Sequence, residues 1–318
     1  MSLPSLVDLM KGAQPFEIKL DFTLRGESSR FGLLLKGPYG WGEFAPFAYH
    51  RANHQARWLQ AAVEMGWKQL PNPKKSEVSV NAIVPFSDLN RVEKLVKTVG
   101  SNTIKVKFVA KDLKADLAIL ERISQTVTSP IFRIDFNQAL TAELTEEYLD
   151  GLADFNVEYL EEPSTDLAVV KKIKQRIPIA IDESIRLQTE AIDLTWVKDL
   201  DWADFWILKP IPLGGFSRTQ LIAEAATKPV VISGSFDSSC GLYLTTLAAT
   251  WLSELPAGAA TGALLKTDVT ANSLIPSKGM VEVKKVVPDL ITTPPESVVG
   301  KLFRQLETAY FELVQLEG

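Results

Sequence analysis

From about residue 76 onward the chain repeats one pattern, and that pattern restricts the fold more than any other feature. Short β-branched and apolar runs fall at 79–85, 103–109, 131–137, 157–163, 179–184, 205–210, 229–235 and 259–264. They recur roughly every 25 residues, the length of a strand plus a crossover helix. Helical faces lie between them. Leu113, Leu117, Leu120 and Ile123 share one face after the second run. Leu144, Tyr148, Leu152 and Phe155 share another after the third. Eight strands alternating with helices predict an α/β barrel. An open doubly wound sheet competes, but no glycine-rich phosphate fingerprint follows the first run.

The chain before this has another texture. Residues 16–22 alternate apolar and polar, and 30–36 form a second strand signal before the turn Gly37-Pro38-Tyr39-Gly40. A helix is predicted through 55–65, and Pro71-Asn72-Pro73 then breaks the chain. After Pro295, one amphipathic helix carries Leu302, Leu306, Tyr310 and Leu313 on a face. The expected division is an α+β domain over 1–75, a barrel over 76–290, and a helix over 291–318 returning to the first domain.

Barrels gather functional groups at the C-terminal ends of their strands. Those ends carry Lys105 and Lys107, then Asp135, Glu161, Asp182 and Lys209, in barrel order. Carboxylates from three neighbouring strands repel unless a cation sits among them. An all-oxygen set suits a hard divalent ion, Mg²⁺ being the usual choice. Lysines on its flanks suit abstraction of a proton next to a carboxylate, with metal and cation stabilising the enediolate. Burial and like charge lower the pKa of Lys107, and the carboxylates raise it. Any one of these motifs is commonplace, and a lone Lys-x-Lys is usually a solvated strand edge. The register of the whole set carries the reading. The Ser233, Gly234, Ser235 turn is expected to bind a substrate carboxylate through its backbone N–H groups, near a helix starting at Ser238. Capping of that helix by Asp237 or Ser238 is compatible with this.

At these residues the sequence resembles the enolase superfamily, in its Lys-x-Lys, muconate-lactonizing-enzyme-like branch. The similarity runs through Trp41-Gly42-Glu43-Phe44-Ala45-Pro46, Arg133-x-Asp135-x-Asn137, Leu160-Glu161-Glu162-Pro163, Asp182-Glu183-Ser184 and Leu208-Lys209-Pro210. The resemblance implies a modified (β/α)₇β TIM barrel with an N-terminal α+β capping domain. It implies Lys107 as general base, Lys209 as the opposing cation, and Asp135, Glu161 and Asp182 as Mg²⁺ ligands. Lys105 and Arg133 become candidate substrate contacts, with Asn137 and Glu183 in support. Within the branch, the motifs are most similar to those of a carboxylate dehydratase family of menaquinone biosynthesis. An N-acylamino acid racemase, a muconate-type cycloisomerase and a catalytically silent binding barrel are the alternatives. Two departures stand out. Phe108 and Val109 follow the base where a small residue is expected. The stretch through Gly262, Lys266, Thr267 and Asp268 lacks the Asp-x-Asp of dipeptide epimerases. The loop 25–30 offers Arg25 and Arg30 as further carboxylate partners.

A net charge of −5 argues against a nucleic-acid surface. No run of about 18 apolar residues suggests a membrane span. With one cysteine, Cys240, no internal disulfide can form, and a cytoplasmic location is expected. The remaining partner expectation is a small-molecule carboxylate substrate, with monomer or homo-oligomer undecided. His50 and His54 lack the glutamate of a zinc helix, and Gly214-Gly215 reads as a turn.

Overall fold

The computed structural model describes residues 3–24, 26–188 and 194–317. A short helix, Leu6–Lys11, precedes three antiparallel strands: β1 (Ala13–Leu24), β2 (Glu27–Gly37) and β3 (Gly40–Phe44). The helix Ala52–Trp67 packs across this sheet. Gly42 permits the approach, since a Cβ there would lie 2.0 Å from the Ala62 carbonyl oxygen. The helix Glu296–Glu317 returns from the far end of the chain to cover Ala52–Trp67, burying Leu302, Leu306, Ala309 and Leu313.

The barrel begins after a small outer ribbon. β4 (Glu77–Ser79) pairs antiparallel with the last strand, β12 (Met280–Glu282). Seven parallel staves follow in spatial order: β5 (Ala82–Val84), β6 (Thr103–Lys107), β7 (Ile131–Asp135), β8 (Val157–Glu161), β9 (Ile179–Ile181), β10 (Phe205–Leu208) and β11 (Val230–Ile232). The run at 79–85 is therefore split between the outer ribbon and the first stave. The next six are shorter than predicted, and Asp182 and Lys209 lie just past the ends of their staves. Among the described residues, no helix is long and apolar enough to cross a membrane.

The eighth stave differs most from expectation. Residues 259–264 do not form a strand; Ala260–Leu264 is a 3-10 turn. Alanine and glycine are poor strand formers, and Gly262 lies so close to the Leu274 carbonyl that a Cβ would sit 2.2 Å from it. Closure falls instead to Ala257 and Gly258. Ala257 bridges Val80, and Gly258 bridges Ser233. The bonds Asn81 N to Ala257 O at 2.9 Å and Gly258 N to Ile232 O at 2.8 Å complete the ring.

The helix Ser239–Leu252, buried through Thr250, lies between barrel and cap. Ser238 caps its N-terminus, accepting from Cys240 N. Glu43 of β3 accepts from Ser238 N at 3.1 Å and Gly241 N at 3.0 Å, bolting the cap to this helix end. Asp268 accepts from Ser239 N at 3.0 Å. Two acidic side chains thus accept from the free N–H groups at the start of one helix.

Candidate active site

Parallel register assembles the site. Lys107 lies opposite Asp135, Asp135 opposite Glu161, and Glu161 opposite Ala180. Asp182 follows two residues after Ala180, just beyond the end of β9. Lys209 follows β10 in the same way. Side chains two apart share a strand face, which sends Lys105 and Lys107 to the same side. Lys105, Lys107, Asp135, Asp182 and Lys209 line one cavity of about 200 Å³. Glu161, 1% exposed, lies behind Lys105.

Lys105 Nζ donates to Glu161 Oε2 at 2.6 Å and stands 3.0 Å from Asp135 Oδ2. Lys209 Nζ donates to Asp182 Oδ2 at 2.6 Å. Arg186 Nε donates to the other Asp182 oxygen at 3.2 Å, and its Nη2 to Glu183. Asn137 N donates to Asp135 Oδ1 at 3.0 Å. Lys107 has no ion pair among the described residues.

These environments separate the titrating groups. Burial lowers Lys107 below the ordinary lysine value, and Lys105 and Lys209 assist against the pull of Asp135 and Glu183. Burial works on Lys105 in the same sense, but Asp135 and Glu161 outweigh it and hold that lysine charged. Burial pushes Glu161 up to about 7 despite Lys105. Burial would also raise Asp182, yet Lys209 and Arg186 hold it down at about 2. Glu183 is raised by burial and by Asp182.

Among the described residues, no three acidic, histidine or cysteine side chains are already drawn together as a metal cage. The Lys105 ammonium stands between Asp135 and Glu161, and that of Lys209 pairs with Asp182. The donor set still fits a hard cation. It is all oxygen, and Glu161 Oε1 is buried without a hydrogen-bond partner. Such an orphaned acceptor costs about 1–3 kcal/mol, which contact with a cation would offset.

The chain matches the family model described as Enolase C-terminal domain-like over residues 88–289, and Enolase N-terminal domain-like over 16–66. It is 36% identical to the o-succinylbenzoate synthase of Thermobifida fusca over 281 residues, covering 85% of this chain and 87% of that one. It is 34% identical to the o-succinylbenzoate synthase of Mycolicibacterium smegmatis, covering 90% of each. The chain belongs to the o-succinylbenzoate synthase family of the enolase superfamily. The fold agrees. The L-Ala-D/L-Glu epimerase of Bacillus subtilis superposes with a TM-score of 0.70 at 20% identity, over 88% of this chain and 96% of that one. Muconate lactonizing enzyme from Pseudomonas fluorescens gives 0.67 at 16% identity, over 91% and 97%.

For this o-succinylbenzoate synthase family member, several residues sit differently from the sequence expectation. Arg133 is 0% exposed and does not line the cavity. It lies two residues below Asp135, where Nε donates to Glu158 at 2.6 Å and Nη1 to Asn81 Oδ1 at 2.9 Å and Pro256 O at 2.6 Å. It fastens the closing stave rather than a substrate. Ser233, Gly234 and Ser235 do line the cavity, but their N–H groups are committed. Ser233 N donates to Leu208 O, Gly234 N to Gly258 O, and Ser235 N to Asp237 Oδ2. What remains is the Ser235 hydroxyl, buried and without a partner. Arg30 is a buried β2 residue stacked 3.9 Å over the Phe47 ring, not a loop cation. Arg25 lies outside the described residues. Phe108 explains the missing small residue: it packs outward against Phe136, 5.6 Å away, while Ala110 takes the left-handed turn at φ 53°.

The sequence reading missed the roof. Phe22, Leu24, Phe47 and Tyr49 reach into the cavity from the cap, and Phe22 packs 5.2 Å from Phe236. Phe22 takes its facing from β1, whereas Phe47 and Tyr49 come from the turn after β3, which no strand period marks in the sequence. Arg186 and Thr261 also line the cavity. The spacing of Arg186, four residues after Asp182 at the start of a helical turn, was the available signal for that one.

Proposed function

We propose that this chain is itself an o-succinylbenzoate synthase, a carbon–oxygen lyase. It would dehydrate 2-succinyl-6-hydroxy-2,4-cyclohexadiene-1-carboxylate to 2-succinylbenzoate, in menaquinone biosynthesis. The curated relatives support the reaction. The observation that carries the reading is Lys107: a largely buried amine, lowered below its ordinary value and without an ion pair among the described residues, one stave from Asp135. A base must be neutral to accept a proton, and this environment favours that form.

In the proposed reaction, Lys107 Nζ removes the proton from C1, the carbon bearing the ring carboxylate. The C–H electron pair moves into the carboxylate as an enediolate. It then returns to expel the C6 hydroxyl, which completes the aromatic ring. Lys107, now protonated, passes its proton to the departing hydroxyl on the same face. Water leaves and the amine is regenerated. Lys209, carried at the end of β10, offers a fixed positive charge to the dienolate. Asp135, Glu161 and Asp182 would hold Mg²⁺, which supplies positive charge for the substrate carboxylate as electron density builds there. Lys105 holds Asp135 and Glu161 together as their counter-ion, and Arg186 orients Asp182 and Glu183. The aromatic roof from Phe22 and Phe47, with the half-exposed Tyr49 at its rim, limits the access of water to the ring.

Ultraviolet detection of substrate loss tests this. Wild type is expected to turn over with Mg²⁺ and to stop with a chelator. Lys107→Ala is expected to lose about 10²–10⁴-fold in rate, the usual contribution of a general acid–base. No turnover by wild type, or full activity in Lys107→Ala, would remove the reading.

A further inference from the structure

We infer that Glu162, the second glutamate of the strand end Glu161-Glu162-Pro163, is a positioning residue that fixes three acidic strand ends relative to one another. The inference deepens the proposed function and rests on its metal assignment. Glu162 is 4% exposed and lies outside the cavity lining. Its Oε1 accepts from the backbone N–H of Asp182 at 2.9 Å and of Ser184 at 2.8 Å. Its Oε2 accepts from Gln138 Nε2 at 3.2 Å and Ser184 Oγ at 3.3 Å. The backbone joins in: Glu162 N donates to Ala180 O at 2.9 Å, and Glu162 O accepts from Gln138 N at 2.6 Å. One residue therefore binds the ends of β7, β8 and β9, the three strands that present Asp135, Glu161 and Asp182.

The backbone at these ends needs such a clamp. Asn137, Gln138 and Glu162 adopt φ values of 44°, 66° and 39°, in the left-handed region. Each non-glycine residue held there costs about 1–3 kcal/mol and persists only where the surroundings over-determine it. Asp182 sits at φ −125° and ψ −70°, outside both the strand and the helical regions. Its N–H is one that Glu162 holds. The bends turn the chain sharply after Asp135 and Glu161, and around Asp182, so their side chains stay at the cavity end of the barrel. No lysine or arginine pairs with Glu162 among the described residues. Its carboxylate is satisfied by N–H and O–H donors from the neighbouring strand ends. A salt bridge could be replaced by other charges, but this web needs an acceptor of this length at this position.

Groups that orient metal ligands typically cost about 10–100-fold in metal affinity when removed. The test is calorimetric titration of Mg²⁺ into wild type, Glu162→Ala, Glu162→Gln and Gln138→Ala, with thermal melts of each. Glu162→Ala is expected to bind Mg²⁺ about 10–100-fold more weakly. Glu162→Gln keeps an acceptor oxygen for the Asp182 and Ser184 N–H groups, and is expected to recover most of the loss. Gln138→Ala removes one bond and is expected to give a smaller loss; it decides the matter if Glu162→Ala does not fold. A lowered melting temperature with wild-type Mg²⁺ affinity in the variants would mean a merely structural role and would overturn the inference. Absence of Mg²⁺ binding by wild type would instead overturn the metal assignment, and the inference with it.

Discussion

Replacing Arg133 by methionine separates a structural role from a substrate-binding one. The guanidinium is fully buried and donates to Glu158, Asn81 and Pro256. Methionine fills much of its volume but donates nothing. Asn81 Oδ1, on a residue 1% exposed, loses its donor, and so does the Pro256 carbonyl. The Glu158 side chain is 23% exposed and can turn to water. Breaking a buried charged network costs about 3–5 kcal/mol, and the exposure of Glu158 places this case near 3 kcal/mol. Unfolding entropy of about 2.1 cal/mol/K per residue over 318 residues makes that a fall of about 4–5 °C in Tm. Calorimetric melts measure the fall, and steady-state kinetics below the transition measure function. The expected result is a lowered Tm with KM and kcat preserved. A wild-type Tm with a raised KM would refute the placement of Arg133 and restore the substrate contact.

Three further outcomes follow from local environments. Cys240 is buried and its thiol is raised by burial, with Glu43 and Asp268 adding to it; a thiol reagent is expected to label it only after denaturation, and rapid labelling of the native enzyme would contradict its packing role. Burial raises Asp116 above its ordinary value of 3.8 despite the Tyr148 hydroxyl bond. A raised carboxylate contributes stability below pH 3.8 that is lost as pH climbs through the folded value, so the stability of wild type relative to Asp116→Asn is expected to decline across that window; a relative stability that grows with pH would be inconsistent with it. Gly42→Ala places a methyl 2.0 Å from the Ala62 carbonyl oxygen; the cap is expected to lose about 1–3 kcal/mol, and an unchanged Tm would show that strand and helix do not approach so closely.

The charged set was legible because strand pairing preserves order. Lys107, Asp135, Glu161, Asp182 and Lys209 each close a successive apolar run, and parallel register brings such positions together. The returning C-terminal helix was legible from its apolar face, since three of its four named residues, Leu302, Leu306 and Leu313, are buried. What failed depended on partners far away in sequence. Arg133 looks like a site residue by spacing, yet Pro256 and Asn81 claim it. The N–H groups of Ser233, Gly234 and Ser235 look available until Leu208, Gly258 and Asp237 are placed beside them. The eighth stave could not be read, because two residues closing a ring leave no periodicity to detect. Glu162 was passed over because its neighbour matches the ligand pattern, and only coordinates show four donors converging on it.

A crystal structure with Mg²⁺ and 2-succinylbenzoate addresses the central claim most directly. The account predicts one ion about 2.1 Å from oxygens of Asp135, Glu161 and Asp182, with Lys107 Nζ nearest the ring carbon that carries the carboxylate. An ion bound elsewhere, or a product whose ring lies out of reach of Lys107, would contradict it.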